Sequence, residues 1–247
     1  MKLINESAFK HLSVKLPMLG AFLLLVLIPA LQWALDFELV PKEYESVLIG
    51  VVLPLLALIG RKIYQPSLHN VNQFVTITAG HSNVDPGAVN GKFKEAELVS
   101  QFRNAVAYYL READVAIKTD GIGSDNQNLN TAIKLIKGSS IAVEFHMNAA
   151  SSKAAYGIET IALPKDKKIA QELSQVVAKV FNSKLRGDSG WIDQSQSARG
   201  KLGFINAGGL IVELGFISNE AELAQFNAKY WQAAKAVAQV LINSDKS

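Results

Sequence analysis

The sequence predicts an α/β fold, a twisted, largely parallel sheet flanked by helices, preceded by an N-terminal transmembrane helical region. Three observations carry that prediction. Short β-rich runs alternate with helical segments from Phe74 onward. Glu95 to Glu112 carries apolar residues at helical spacing. Residues 1–66 hold two long apolar runs that nothing later in the chain resembles.

The first run, Leu16 to Leu35, is twenty residues without a charge, and a bilayer core needs about 20 apolar helical residues. Trp33 lies near one end, as an interfacial aromatic would, and Pro29 is a kink rather than a veto. The second run, Val47 to Gly60, is shorter and carries Pro54; Ile63 and Tyr64 extend it if Arg61 and Lys62 snorkel. The candidate spans are therefore 16–35 and 47–64. The other reading of the first run is a signal peptide with Lys2, Lys10 and Lys15 as its basic flank, but no small-x-small site follows and a second apolar run does. Bases at both outer ends and an acidic loop between place both ends of such a hairpin in the cytoplasm. The division expected is 1–66 membrane region, 67–73 linker and 74–247 a single catalytic domain, of ordinary size for one core.

Composition narrows the partners. A net charge of +3 without a dense Lys/Arg stripe makes no case for nucleic acid but suits an anionic surface. There is no cysteine, so a transition metal must sit on histidine and carboxylate.

Within the domain, Phe74 to Thr78 reads as a strand ending at Ala79-Gly80. Glu95 to Glu112 follows as an amphipathic helix, through Leu98, Val99, Phe102, Ala105, Val106, Tyr109 and Leu110. Val115 to Thr119 is a strand, and Leu129 to Lys137 a helix with Asn128 as N-cap and Gly138 as its stop. Strands at Ile141 to Met147 and Gly157 to Leu163 precede a helix marked by Ile169, Leu173, Val176, Val177, Val180 and Phe181. Gly209 to Leu214 is a strand, and a last helix runs from about Tyr230 to Ile242.

Ligands of open α/β sheets gather at the carboxyl ends of strands. Of four histidines, His11 and His69 fall outside the domain and carry no role here; His81 and His146 follow or end strands. Glu95 opens a helix after a glycine-containing loop, and Glu213 lies in Leu210-Ile-Val-Glu-Leu214, where an acid is expected to be buried and to need a partner or a job. Hydrolytic zinc takes three protein ligands and leaves one position for water, with a separate carboxylate for proton transfer. His81, Glu95, His146 and Glu213 can supply that set. Each alone also fits a structural role, Glu95 as a first-turn helix acid.

The pieces AGHSNVDPGA (79–88), E-x-E-L (95–98), FHMNA (145–149), GIET (157–160) and VELGFISN (212–219) together resemble the zinc-dependent N-acetylmuramoyl-L-alanine amidases of bacterial cell-wall enzymes and phage endolysins, over about residues 74–243. The resemblance implies that His81, Glu95 and His146 hold one Zn2+ per chain, that Glu213 is catalytic, and that Asn148 holds substrate or orders the site. Glu144 departs from the family's pattern; it reads as a partner of His146 or as a solvated strand end, the second being the favoured reading. GIGSDNQNLN (121–130) replaces an arginine-bearing segment, which puts substrate contacts from that loop in doubt.

The implied reaction is hydrolysis of the bond between N-acetylmuramic acid and L-alanine. Peptidoglycan and a lipid bilayer are the expected partners, at a bacterial inner membrane or a virion membrane, with the apolar region standing in for a wall-binding module. Phage lysis or cell-wall penetration is the expected setting. Two rivals fit the same residues: cleavage of a peptide bond or acetamide, and a membrane-bound peptidoglycan-binding or lysis-regulating protein with a vestigial zinc site.

Overall fold

Two units divide the chain near residue 72. The structure, a computed structural model, describes residues 19, 22–37, 39–64, 74–197 and 200–245. The linker at 67–73, the basic flank, His11, His69 and the start of the first apolar run lie outside them.

The first unit is a helical hairpin. A π-helical stretch, Leu23–Leu27, runs into α1 (Ile28–Asp36). After a turn closed by the Leu39 amide on Ala34 O (2.9 Å), α2 (Lys42–Val47), a second π stretch (Leu48–Val52) and α3 (Leu53–Tyr64) follow. Among the described residues no helix is long and apolar enough to cross a membrane. Among the described residues, apolar side chains nevertheless face outward along the hairpin, including Phe22, Leu25, Trp33, Val51 and Leu58.

The second unit is built on a six-stranded sheet. Its strands are β1 (Val75–Ala79), β4 (Ile117–Thr119), β5 (Ile141–Asn148), β6 (Glu159–Ala162), β7 (Trp191–Asp193) and β8 (Leu210–Phe216). The order is β4-β1-β5-β8-β6-β7. Every neighbouring pair is parallel except β6 with β8. A two-residue hairpin, β2 (Val89–Asn90) with β3 (Phe93–Lys94), leads into α4 (Glu95–Glu112).

The helices α4, α6 (Lys167–Phe181) and α8 (Glu220–Asp245) pack on one another and on one face of the sheet. Their core includes Val75, Ile77, Val143, Phe145, Val212 and Leu214 from the strands and Phe102, Val177 and Phe226 from the helices. The opposite face carries a smaller core, in which α5 (Leu129–Ile136) and α7 (Gly203–Asn206) cover Ala142, Ile161 and Ile211. Helices thus lie on both faces, as the alternation of segments implies.

The two-residue period of a strand decides what happens next. Val143, Phe145 and Met147 point into the large core, so Ala142, Glu144, His146 and Asn148 share the other face. On β8 the same alternation puts Glu213 with Ile211. The smaller core therefore covers only one end of that sheet face, and the polar residues hold the other end.

Candidate metal centre

Four chain segments meet at this polar end. His81 directly follows β1, Glu95 is the first residue of α4, His146 is in β5, and Glu213 lies beside it in register on β8. The ligand-type atoms of His81, Glu95 and His146 all lie within 4.8 Å of one another. Glu213 stands in the field of His146 and is half-buried rather than fully buried. The sequence placed it too deep, because the small core stops short of it.

The Glu95 carboxylate is the centre of the triangle. Its Oε1 accepts from the Met147 amide (2.9 Å) and lies 3.0 Å from His146 Nδ1. Its Oε2 accepts from the Ala88 amide (3.0 Å) and lies 2.9 Å from His81 Nε2. Backbone donors from two loops thus fix a side chain that is 3% exposed. Burial alone would raise the pKa of Glu95, but the two imidazoles outweigh it and hold it far below the usual carboxylate range. Burial would equally lower both histidines; Glu95 and Asp85 lift His81, and Glu144 and Glu95 lift His146 well above the ordinary value.

The outer nitrogens are held as well. His81 Nδ1 lies 3.0 Å from Asp85 Oδ2, and His146 Nε2 lies 3.1 Å from Glu144 Oε1. Glu144 is 3% exposed and also accepts from Thr78 Oγ1. This overturns the reading of Glu144 as a solvated strand end: the neighbouring strand β1 covers it and His146 engages it. The carboxylate on the far nitrogen sets the tautomer and ring orientation of a metal-binding histidine.

The glycines of AGHSNVDPGA make room for these rings. A Cβ on Gly80 would lie 2.2 Å from His146 Cε1. One on Gly87, at φ +66°, would lie 2.6 Å from the His81 ring and 2.8 Å from Glu95 Oε2. His81 itself takes φ 67°, uncommon for a non-glycine residue. Such a backbone persists where surrounding contacts enforce it, and binding sites are a frequent place.

Asn148 is half-buried on the same face; its Nδ2 donates to Glu159 Oε1 (2.9 Å) and its Oδ1 accepts from the Ala149 amide. Glu159 is buried, stands in register with Glu213 and pairs with Arg186. Sequence reasoning gave neither Glu159 nor Arg186 a role. The acid in GIET was the available signal, since an acid entering a buried strand needs a partner. The loop after β4 is anchored from outside itself: the fully buried Arg103 of α4 donates to Asp120 Oδ1 (2.9 Å) and to Asp125 O (2.8 Å).

The donor set fits a divalent cation. Two imidazole nitrogens and a carboxylate converge, and His81 Nε2 is buried and close to Glu95 yet makes no aligned hydrogen bond. Atoms that are near but not directed at one another are what a shared third centre requires.

Known proteins resemble the sheet unit that carries this site. The sequence profile of the N-acetylmuramoyl-L-alanine amidase family matches residues 75–243. A crystal structure described as the putative N-acetylmuramoyl-L-alanine amidase from Neisseria meningitidis is 43% identical. It covers 69% of this chain and 94% of its own, with a TM-score of 0.65. The catalytic domain of the amidase CwlV from Bacillus (Paenibacillus) polymyxa var. colistinus shares the fold at 21% identity, covering 69% of this chain and 97% of its own, with a TM-score of 0.60. An N-acetylmuramoyl-L-alanine amidase from Clostridium difficile 630 does so at 20% identity, covering 71% and 98%, also with a TM-score of 0.60. No curated protein matches. With a profile spanning the whole sheet unit and a close relative that keeps nearly its full length, the chain belongs to the N-acetylmuramoyl-L-alanine amidase family.

Proposed function

We propose that this peptidoglycan amidase is zinc-dependent, cleaves the bond between the lactyl group of N-acetylmuramic acid and L-alanine, and is held at a membrane by its N-terminal hairpin. The observation that carries the chemistry is the convergence of His81, Glu95 and His146 beside Glu213 on the next strand. His81, Glu95 and His146 would hold the ion. Zinc held there supplies a polarised carbonyl and a water whose pKa falls to about 7.

The chain's own residues do the rest. Asp85 and Glu144 orient the two imidazoles, and the Met147 and Ala88 amides orient Glu95. Glu213 takes the proton of the attacking water and returns it to the departing alanine nitrogen. Asn148 orders the floor of the site through Glu159 and contacts substrate from there. The membrane part of the proposal is supported by the outward-facing apolar side chains of the hairpin, which are costly to leave in water. A lysis or wall-penetration setting follows from pairing such a hairpin with an amidase unit.

The test is peptidoglycan hydrolysis by the full-length chain, with and without chelator. New L-alanine amino termini without shorter glycans, lost on chelation and regained with zinc, are expected. Glu213→Gln is expected to keep the metal and lose about 100- to 10,000-fold in turnover, the usual worth of a positioned acid–base group. Undiminished activity in that variant would remove Glu213 from the mechanism. Bound zinc with no cleavage by the parent chain would favour a peptidoglycan tether or lysis regulator.

A further inference from the structure

A groove of about 610 Å³ runs along α4, walled by the loop after His81 and by the loop at 123–126. Its size is within the usual range for small-ligand sites. It starts beside the metal centre on both walls: Ser82 follows His81, and Ala96 follows Glu95. Yet none of His81, Glu95, His146 or Glu213 lines it. The reacting amide therefore cannot sit in it, but a neighbouring part of the same substrate can.

The lining is neutral and rich in hydroxyl and amide groups. Ser100 and Asn126 are 5% and 3% exposed. Ser100 Oγ and Asn126 Oδ1 are buried without a hydrogen-bond partner, while Asn126 Nδ2 is committed to Gly80 O (2.9 Å). Buried polar atoms left unsatisfied carry a cost that a ligand in the groove can offset. Gln101 stands exposed at the rim, and Asn104 is tied by its Nδ2 to Gly123 O. The charged groups, Lys94 and Glu97, neutralise one another at 2.8 Å. Arg103 does not line the groove; its guanidinium is spent on Asp120, on Asp125 O and on Asn104 Oδ1. Pro86 and Ala96 add a small apolar wall.

A stem peptide carries carboxylates and would need an unspent cation here. An N-acetylated sugar is neutral, with hydroxyls and an amide for Ser100, Asn126 and Gln101 and a methyl and C–H face for the apolar wall. We infer that this groove is a glycan subsite, binding an N-acetyl sugar of the strand next to the muramic acid whose amide is cut. The inference rests on the peptidoglycan reading above.

The experiment is calorimetric titration of the full-length chain with tetra-N-acetylglucosamine, for the parent, Gln101→Ala and Ser100→Leu. Saturable one-to-one binding is expected in the parent. It should weaken about fivefold in Gln101→Ala, the scale of one lost hydrogen bond, and disappear when leucine fills the groove. Gln101→Ala should also raise KM about fivefold on polymeric peptidoglycan. Because Gln101 is exposed, its variant tests the idea even if Ser100→Leu fails to fold. Absent binding in the parent, or equal affinity in parent and Gln101→Ala, overturns the subsite. Release of L-alanine termini is scored separately: a parent that binds the oligosaccharide but frees none sinks the amidase reading and leaves the sugar site standing. A parent that cleaves but never binds does the reverse.

Discussion

At the residue scale, the metal triangle is held by carboxylates that are not part of it. Asp85 and Glu144 each occupy the outer nitrogen of one histidine, and Glu144 does so from within the sheet, two residues along the same strand. Replacing such an outer partner ordinarily lowers metal affinity by about 10- to 100-fold. Glu144→Gln is therefore expected to weaken zinc binding by about that factor, read by competition with a chromogenic chelator; unaltered affinity would reduce Glu144 to a buried filler. The triangle itself was legible from sequence, because His81, Glu95 and His146 each fall where a strand ends or a helix begins. Glu144 was not. Its sequence neighbours do not reveal that β1 covers it, and a contact with Thr78 spans 66 residues.

At the scale of elements, α4 links the metal centre to the loop after β4. Its first residue is Glu95, and Arg103, two turns on, pins Asp120, which also accepts from the Ala79 amide. Burial pushes the Asp120 carboxyl up to about 6 from its ordinary value near 3.8, against the pull of Arg103 and the Ala79 amide. A carboxyl with a raised folded pKa binds protons more tightly folded than unfolded. Its contribution is thus fully present below about pH 4 and lost as pH rises through about 6. The loss is about 3 kcal/mol at 1.36 kcal/mol per pKa unit. Urea unfolding of the parent minus Asp120→Asn should show that slope between pH 4 and 6, and a flat difference would mean Arg103 keeps the carboxylate charged. Elements that sequence reasoning missed share a cause. The β2–β3 hairpin and β7 are two or three residues per strand, too short for any period to register. The last helix begins ten residues before Tyr230, its early turns carrying only Leu223 and Phe226 as large apolar residues, with Asn219 Oδ1 accepting the Ala221 and Glu222 amides as its cap. That cap was visible in VELGFISN as a motif and went unread as a helix start.

At the scale of the whole molecule, an ion held by His81, Glu95 and His146 would tie β1, α4 and β5 together and stabilise the sheet unit by mass action. With free zinc at about 100 times its Kd, the gain is about 2.7 kcal/mol. Thermal unfolding of the full-length chain with and without chelator should show this as a lower Tm on chelation. Glu213→Gln should keep the shift, since Glu213 is not in the triangle; a Tm indifferent to chelator would argue against a structural share for the ion. The hairpin and the sheet unit were separable in the sequence by composition alone, although among the described residues no helix is long and apolar enough to cross a membrane. By itself the sequence determined the class of fold and the alternation of elements, and it singled out His81, Glu95 and His146, which the structure brings together, since hydrophobic period and residue chemistry are local properties. Only the tertiary structure decided the order β4-β1-β5-β8-β6-β7 and its one antiparallel pair. That order seats Glu213 between His146 and Glu159 and lets strands far apart in the chain share one polar face. Strand order depends on packing between distant segments, and no period within a segment records it.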